Sequence, residues 1–285
     1  MKYLKFHLIS TFFISFCFIL AACGITQQEM AVTINLAGKQ RMLTQKMSKE
    51  ILLIAKGINV IENQNNLRQT AILFNRTLIG LFNGDSELGL VQTENPHIIQ
   101  ELNNVAEWWK AFRENVDTVL MGNMSIAVLN KTAQQNIALL REMNKVVKMY
   151  ERGSSSNLAL SMAVTINLAG KQRMLTQKMT KELLLVAIGI KPARNQARLT
   201  KTMSQFERTL AGLLDGDAEL GLPGTLEPAI RDQLILVKTL WNRYKPILTK
   251  SKVSSQADLV TASQLNLPLL KEMDKAVQMY VDSVK

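Results

Sequence analysis

The segment MAVTINLAGKQRMLTQKMSKEILLIAKGI at residues 30–58 returns 132 residues later, at 162–190, as MAVTINLAGKQRMLTQKMTKELLLVAIGI. The copies agree at 25 of 29 positions, so the chain is an internal duplication and its architecture must be built twice. Weaker likeness follows each copy: FNRTLIGLFNGDSELGL against FERTLAGLLDGDAELGL, Trp109 against Trp241, and LLREMNKVVKMY against LLKEMDKAVQMY. The repeating unit is about 130 residues, long enough to bury a core of its own.

Both units read as helix. The chain has six prolines and no strand-like alternation, and Leu, Ala, Met, Lys, Gln and Glu dominate it. The pattern predicts helices near 28–60, 66–82, 96–121 and 124–151, then near 157–191, 196–214, 228–250 and 256–283. Gly84 and Gly89, and later Gly216, Gly221 and Pro223, punctuate the connection from second to third helix. Gly153-Ser154-Ser155-Ser156-Asn157 makes a short flexible joint, with Asn157 as a candidate N-cap. The expected fold class is all-α, two tandem antiparallel four-helix-bundle-like domains over 23–152 and 153–285.

Residues 1–22 have the form of an export signal. Lys2 and Lys5 precede an apolar run over 8–20, and Leu20-Ala21-Ala22-Cys23 then places small residues before a cysteine. That tetrapeptide resembles the bacterial lipobox, which implies acylation of Cys23. The apolar run is shorter than the roughly 20 residues of a spanning helix. Gly24 follows the cysteine, where enterobacterial lipoproteins retained at the inner membrane carry Asp. The expected location is therefore the cell envelope, as a periplasmic lipoprotein held at the outer rather than the inner membrane.

With Cys17 in the leader and Cys23 acylated, no thiol is left for a disulfide or a metal. His97 is the one histidine beyond the leader, and no nucleophile elbow is visible, so acid–base and nucleophilic catalysis lack their usual parts. We expect a non-enzyme with no cofactor and no metal. Asp215, Asp217 and Glu219, with Asp85 and Glu87 in the first unit, suggest a calcium loop. Counted from Asp215, however, the sixth and twelfth positions are Leu220 and Leu226 where an EF-hand needs Gly and Glu, and a polar turn fits better. Trp108, Trp109 and Trp241 fall on the third helices, in the core or lining a groove. The formal charge of +11 becomes +9 without Lys2 and Lys5, and it favours anionic partners over nucleic acid outside the cell.

Wound at 100° per residue, the repeated segment sorts into faces. Leu36, Leu43, Met47 and Ile54 form a core stripe, while Asn35, Lys39, Lys46 and Lys49 fall on a side expected to be wetter. A third face carries Ile34, Gly38, Arg41, Gln45 and Leu52, flanked by Ala37, Thr44 and Ser48, and its twin carries Ile166, Gly170, Arg173, Gln177 and Leu184. Mid-helix glycine costs about 1 kcal/mol relative to alanine, which points to a close backbone approach at Gly38 and Gly170. If the twin faces meet, Arg41 and Arg173 converge and repel unless an anion lies between them. A planar oxyanion suits the guanidinium fork, with Gln45, Gln177, Thr44 and Thr176 as neutral donors. The other reading has each arginine bridging helices within its own bundle.

INLAGKQRMLTQKM resembles the signature of the PilJ/NarX-like sensor domain, found in type IV pili methyl-accepting chemotaxis transducers and nitrate/nitrite sensor kinases. The matching pairs are Ile34-Asn35, Ala37-Gly38 and Arg41-Met42, then Ile166-Asn167, Ala169-Gly170 and Arg173-Met174. The resemblance implies a periplasmic helical bundle that senses a small ligand. In its nitrate-sensing branch, two subunits pair through this helix and the motif arginines hold one nitrate. Carried over, that role falls on Arg41 and Arg173, with Gly38 and Gly170 allowing close approach, in an intrachain pseudo-dimer or a homodimer. Unlike those receptors, this sequence carries no cytoplasmic signalling module, so the expected protein is a lipid-anchored sensor that signals through a membrane partner. That partner would be a membrane receptor, a chemosensory protein or a pilus protein. The alternative is an envelope interaction protein that docks a pilus or chemosensory component and takes no small ligand.

Overall fold

In the computed structural model, residues 25–154, 157–250 and 255–284 are described. The leader and Cys23 lie outside these residues. Eight α-helices follow one another: α1 (Gln27–Ala55), α2 (Val60–Asn83), α3 (Pro96–Leu120), α4 (Ile126–Gly153), α5 (Leu160–Ile188), α6 (Pro192–Asp215), α7 (Pro228–Leu248) and α8 (Gln256–Asp282). No helix among the described residues is long and apolar enough to cross a membrane.

Side-chain caps start four of these helices. Thr26 and Glu29 form a capping box on α1, and Ser255 and Asp258 form another on α8. Asn95 caps α3 ahead of Pro96, and Ser125 caps α4. Two boundaries differ from expectation. The α1–α2 turn is tighter than the spacing predicts, because Gly57 (φ +69°) and Asn59 (φ 42°) adopt left-handed backbone and α2 starts at Val60. In the second unit, Lys191 (φ 44°) and Pro192 likewise start α6 four residues early. Asn157 is no cap: α5 begins at Leu160 behind Ala159, and the Asn157 amide donates to the Ile25 carbonyl.

The four helices of each unit pack on one another, and the two units then join along α1 and α5. Residues 35–41 of α1 bond residues 167–173 of α5, and residues 45–49 sit level with 177–181, so the motif helices run side by side in one direction. α8 also touches α1, and α4 touches α5. This double duty shows in burial. Of 29 residues, 21 are buried in α1 and 19 in α5, against 9 of 24 in α2. A helix buried all round is one enclosed by neighbours on every side.

The remaining helices hold conventional apolar cores. Phe74 packs at a tilt against Trp109, ring centroids 4.4 Å apart, and Phe206 against Trp241 at 4.8 Å. The tryptophans donate to Asn75 and Glu207, while Trp108 faces solvent. The acidic turns that suggested calcium are taken up by arginine: Arg76 bonds Asp85 and Glu87, and Arg208 bonds Asp217 and Glu219. Each turn folds back over a helical glycine. A Cβ on Gly80 would sit 2.9 Å from Leu90 Cδ1 and 3.0 Å from Asp85 Cβ, and Gly212 repeats the geometry against Leu222 and Asp217. Gly80→Ala and Gly212→Ala should therefore each lower stability by about 1–3 kcal/mol, in spite of alanine's better helix propensity. Denaturant unfolding of the two variants checks this.

Candidate functional site

The face that carries the arginines lies at the α1–α5 seam. Arg41 and Arg173 are each 1% exposed, among the largest fully buried side chains of the protein. Each reaches across to the other unit. Arg41 Nη2 donates to the side-chain and backbone oxygens of Asn167 at 2.7 and 3.1 Å, and Arg173 Nη2 does the same to Asn35 at 2.8 and 3.1 Å. The second terminal nitrogens turn back into their own units. Arg41 Nη1 meets Asn144 Oδ1 on α4 at 3.0 Å, and Arg173 Nη1 meets Asp274 Oδ1 on α8 at 2.5 Å.

The glycines make room for guanidinium groups and not, as expected, for another backbone. A Cβ on Gly38 would lie 3.4 Å from Arg41 Nη2 and 3.9 Å from Arg173 Nη2. On Gly170 it would lie 3.2 Å from Arg173 Nη2 and 3.9 Å from Arg41 Nη2. Both guanidiniums therefore converge on the two bare patches of backbone. Burial, followed by the charge of Arg173, pushes the Arg41 pKa down to about 9, and burial likewise lowers Arg173. Each Nε–H is buried without an acceptor. An orphaned donor on both arginines is unusual in a native interior and leaves each fork able to grip an acceptor.

Gln45 and Gln177 are not bonded to the arginines. They form a separate layer a turn further on, in which Gln45 Nε2 donates to Asn136 Oδ1 at 3.0 Å and Gln177 Nε2 to Asn266 Oδ1 at 2.6 Å. Thr44 and Thr176 spend their hydroxyl protons on the carbonyls of Arg41 and Arg173, both at 2.8 Å. Lysines enter this layer from the opposite unit. Lys181 Nζ bonds Gln45 Oε1 at 2.7 Å and Asn136 Oδ1 at 2.9 Å, and Lys49 Nζ bonds Asn266 Oδ1 at 3.1 Å. Burial depresses both lysines, Lys49 to about 8 and Lys181 to about 7.

Two expectations for this helix need correction. Asn35 and Lys49, assigned to a wet side, are 6% and 3% exposed, because the second unit covers that side. Lys39 and Lys46 stay at its edge, with side chains 29% and 21% exposed. The chemistry missed in the sequence is the set of polar partners: the amides of Asn35, Asn167, Asn144, Asn136 and Asn266 and the carboxylate of Asp274. They fall at aligned places in the two units, a recurrence that could have flagged them.

The sequence model for the type IV pili methyl-accepting chemotaxis transducer N-terminal domain, PilJ, matches residues 26–136 and again 155–266. The chain belongs to the PilJ family. Both arginines, both glycines and the polar partners of the seam lie within these matches except Asn144 and Asp274, which follow them. Among curated proteins, the methyl-accepting chemotaxis protein McpN of Pseudomonas aeruginosa is 38% identical over 130 residues, covering 44% of this chain. The match spans 24% of McpN itself. A solved structure described as the ligand-binding domain of the P. aeruginosa nitrate receptor McpN is 37% identical, covering 41% of this chain and 92% of that one, with a TM-score of 0.36.

Proposed function

We propose that the protein is an extracytoplasmic sensor that captures one small oxyanion, of the nitrate or nitrite class, between Arg41 and Arg173. The observation that carries this reading is the convergence of two buried guanidiniums on Gly38 and Gly170, each with an orphaned Nε–H. A planar anion accepts from both forks at once and offsets the repulsion between them. Nitrate is favoured over other anions because the sequence likeness is to McpN, described as a nitrate receptor. Gln45 and Gln177, expected as neutral donors, already give their amide hydrogens to Thr44 and Asn136 and to Thr176 and Asn266, so they border the anion site from the adjoining layer rather than donating into it. The sensor units are residues 23–152 and 153–285, tethered to the outer membrane through lipid on Cys23, with the bound state relayed to a chemosensory, receptor or pilus protein of the membrane.

Thermal melting with nitrate, nitrite, sulfate, acetate and chloride at matched ionic strength tests this. A ligand at 100 times its Kd should add about 2.7 kcal/mol, a rise of several degrees. The expected result is selective stabilisation by nitrate or nitrite that is lost in Arg41→Ala/Arg173→Ala. The competing reading, a docking protein without a ligand, draws on the hydrogen bonds that the arginines already make to Asn35, Asn167 and Asp274. It predicts no selective shift in the parent and a variant that melts far lower.

A further inference from the structure

The crossed bonds from each arginine to the asparagine of the other unit are symmetric, but the partners of the second terminal nitrogens are not. Arg41 leans on the neutral Asn144, and at the equivalent place Arg173 leans on the carboxylate of Asp274. Asp274 Oδ2 also lies 3.4 Å from Lys39 Nζ. Burial raises the carboxyl of Asp274, but Arg173 and Lys39 together outweigh that and hold it below the ordinary range, so it is ionised at neutral pH. On the Arg41 side the charge of Glu151 acts on the guanidinium without a bond to it, Glu151 accepting instead from the Asn167 amide, and Lys171 lies close enough to Arg41 for their charges to oppose. The two guanidiniums are thus unequal. One already has an anionic partner bonded to it and the other has none.

We infer that Asp274 is an internal counterion that cancels one of the two guanidinium charges and so fits the seam to a single monoanion while turning away dianions such as sulfate. The inference rests on the anion-binding reading above and adds which anions the site accepts. A dianion between Arg41 and Arg173 would set its second negative charge against the ionised carboxylate bonded to Arg173, a repulsion that a monoanion largely avoids. The Asp274 and Lys39 side chains are 40% and 29% exposed, so solvent screens part of the difference. Asn144, isosteric and neutral, shows that the fold tolerates an amide in this position.

Calorimetric titration of the whole protein with sodium nitrate and with sodium sulfate, at matched ionic strength, decides it. The proteins compared are the parent, Asp274→Asn, Asn144→Asp and the double exchange. The parent should bind nitrate and not sulfate. Asp274→Asn should tighten nitrate by about tenfold or more and gain sulfate binding. Asn144→Asp should weaken nitrate by at least as much, and the double exchange should restore the parental profile because it only moves the carboxylate to the other half. Melting curves establish that each variant is folded. If the parent binds nitrate but Asp274→Asn neither tightens it nor admits sulfate, Asp274 is no counterion to the ligand and only this inference falls. Sulfate binding gained by Asp274→Asn alone would uphold the inference while removing the parent's assignment as a nitrate binder. No binding by any variant would remove both.

Discussion

Gly170→Leu is expected to melt many degrees below the parent and to bind no anion. A leucine there drives its branches into the space held by Arg173 Nη2, which even a Cβ would approach to 3.2 Å, and toward Arg41 Nη2 at 3.9 Å. Overpacking a close helix crossing costs about 1–3 kcal/mol or more, and here it would also part the two units. Gly170→Ala separates the two consequences. Alanine favours the helix by about 1 kcal/mol, and the atom it meets is the far end of a flexible side chain, so stability should change little. Anion binding should still weaken, because Arg173 has to move. Gly38→Ala should be milder on both counts, its Cβ being 3.4 Å from the nearest guanidinium nitrogen. Paired melting and titration of the three variants test this. Equal losses of stability and binding in Gly170→Ala would mean that the arginines simply hold the seam together.

The second large effect is on pH. Lys181 is held near 7 and Lys49 near 8 by burial, against an ordinary lysine value of 10.5 in the unfolded chain. Between the folded and unfolded pKa the unfolded chain binds more protons, so stability must rise with pH across that window. Below about 7 both lysines are charged in either state and the full penalty for burying them applies. The melting temperature should therefore climb by several degrees from pH 7 to pH 9.5, with Arg41, held near 9, acting in the same direction. Lys181→Met removes the group with the larger depression and should flatten the climb. An unchanged slope in that variant would show that Lys181 keeps its charge in the fold, with Gln45 Oε1 and Asn136 Oδ1 as sufficient partners.

Helix content, the number of helices and the face bearing Arg41 are legible in the sequence, because the 3.6-residue period and a doubled motif both leave marks on it. The convergence of Arg41 and Arg173 is legible for the same reason. An arginine among Gly, Ala and Thr makes little sense unless something packs there. Asn35 and Lys49 are misread because a helical wheel assigns one wet side to every helix, while α1 is enclosed by its own bundle and by α5. The α1–α2 and α5–α6 turns are missed by four to six residues because Asn59 and Lys191 take left-handed backbone, which side-chain periodicity does not report. The partners Asn144 and Asp274 stand about a hundred residues from the arginines they bond, beyond the reach of any local pattern.

The joining of α1 to α5 within a single polypeptide has a consequence for how such a sensor can change. In a homodimer every substitution at the two-fold seam is made twice, so the two halves of the ligand cradle stay alike. Here the halves are separate stretches of one gene, and one can be altered while its twin is left in place. The tether also fixes the local concentration of each half for the other, so that assembly of the cradle does not depend on how much protein the cell makes. Pairing of the two motif helices is then an event within one chain, whatever the copy number.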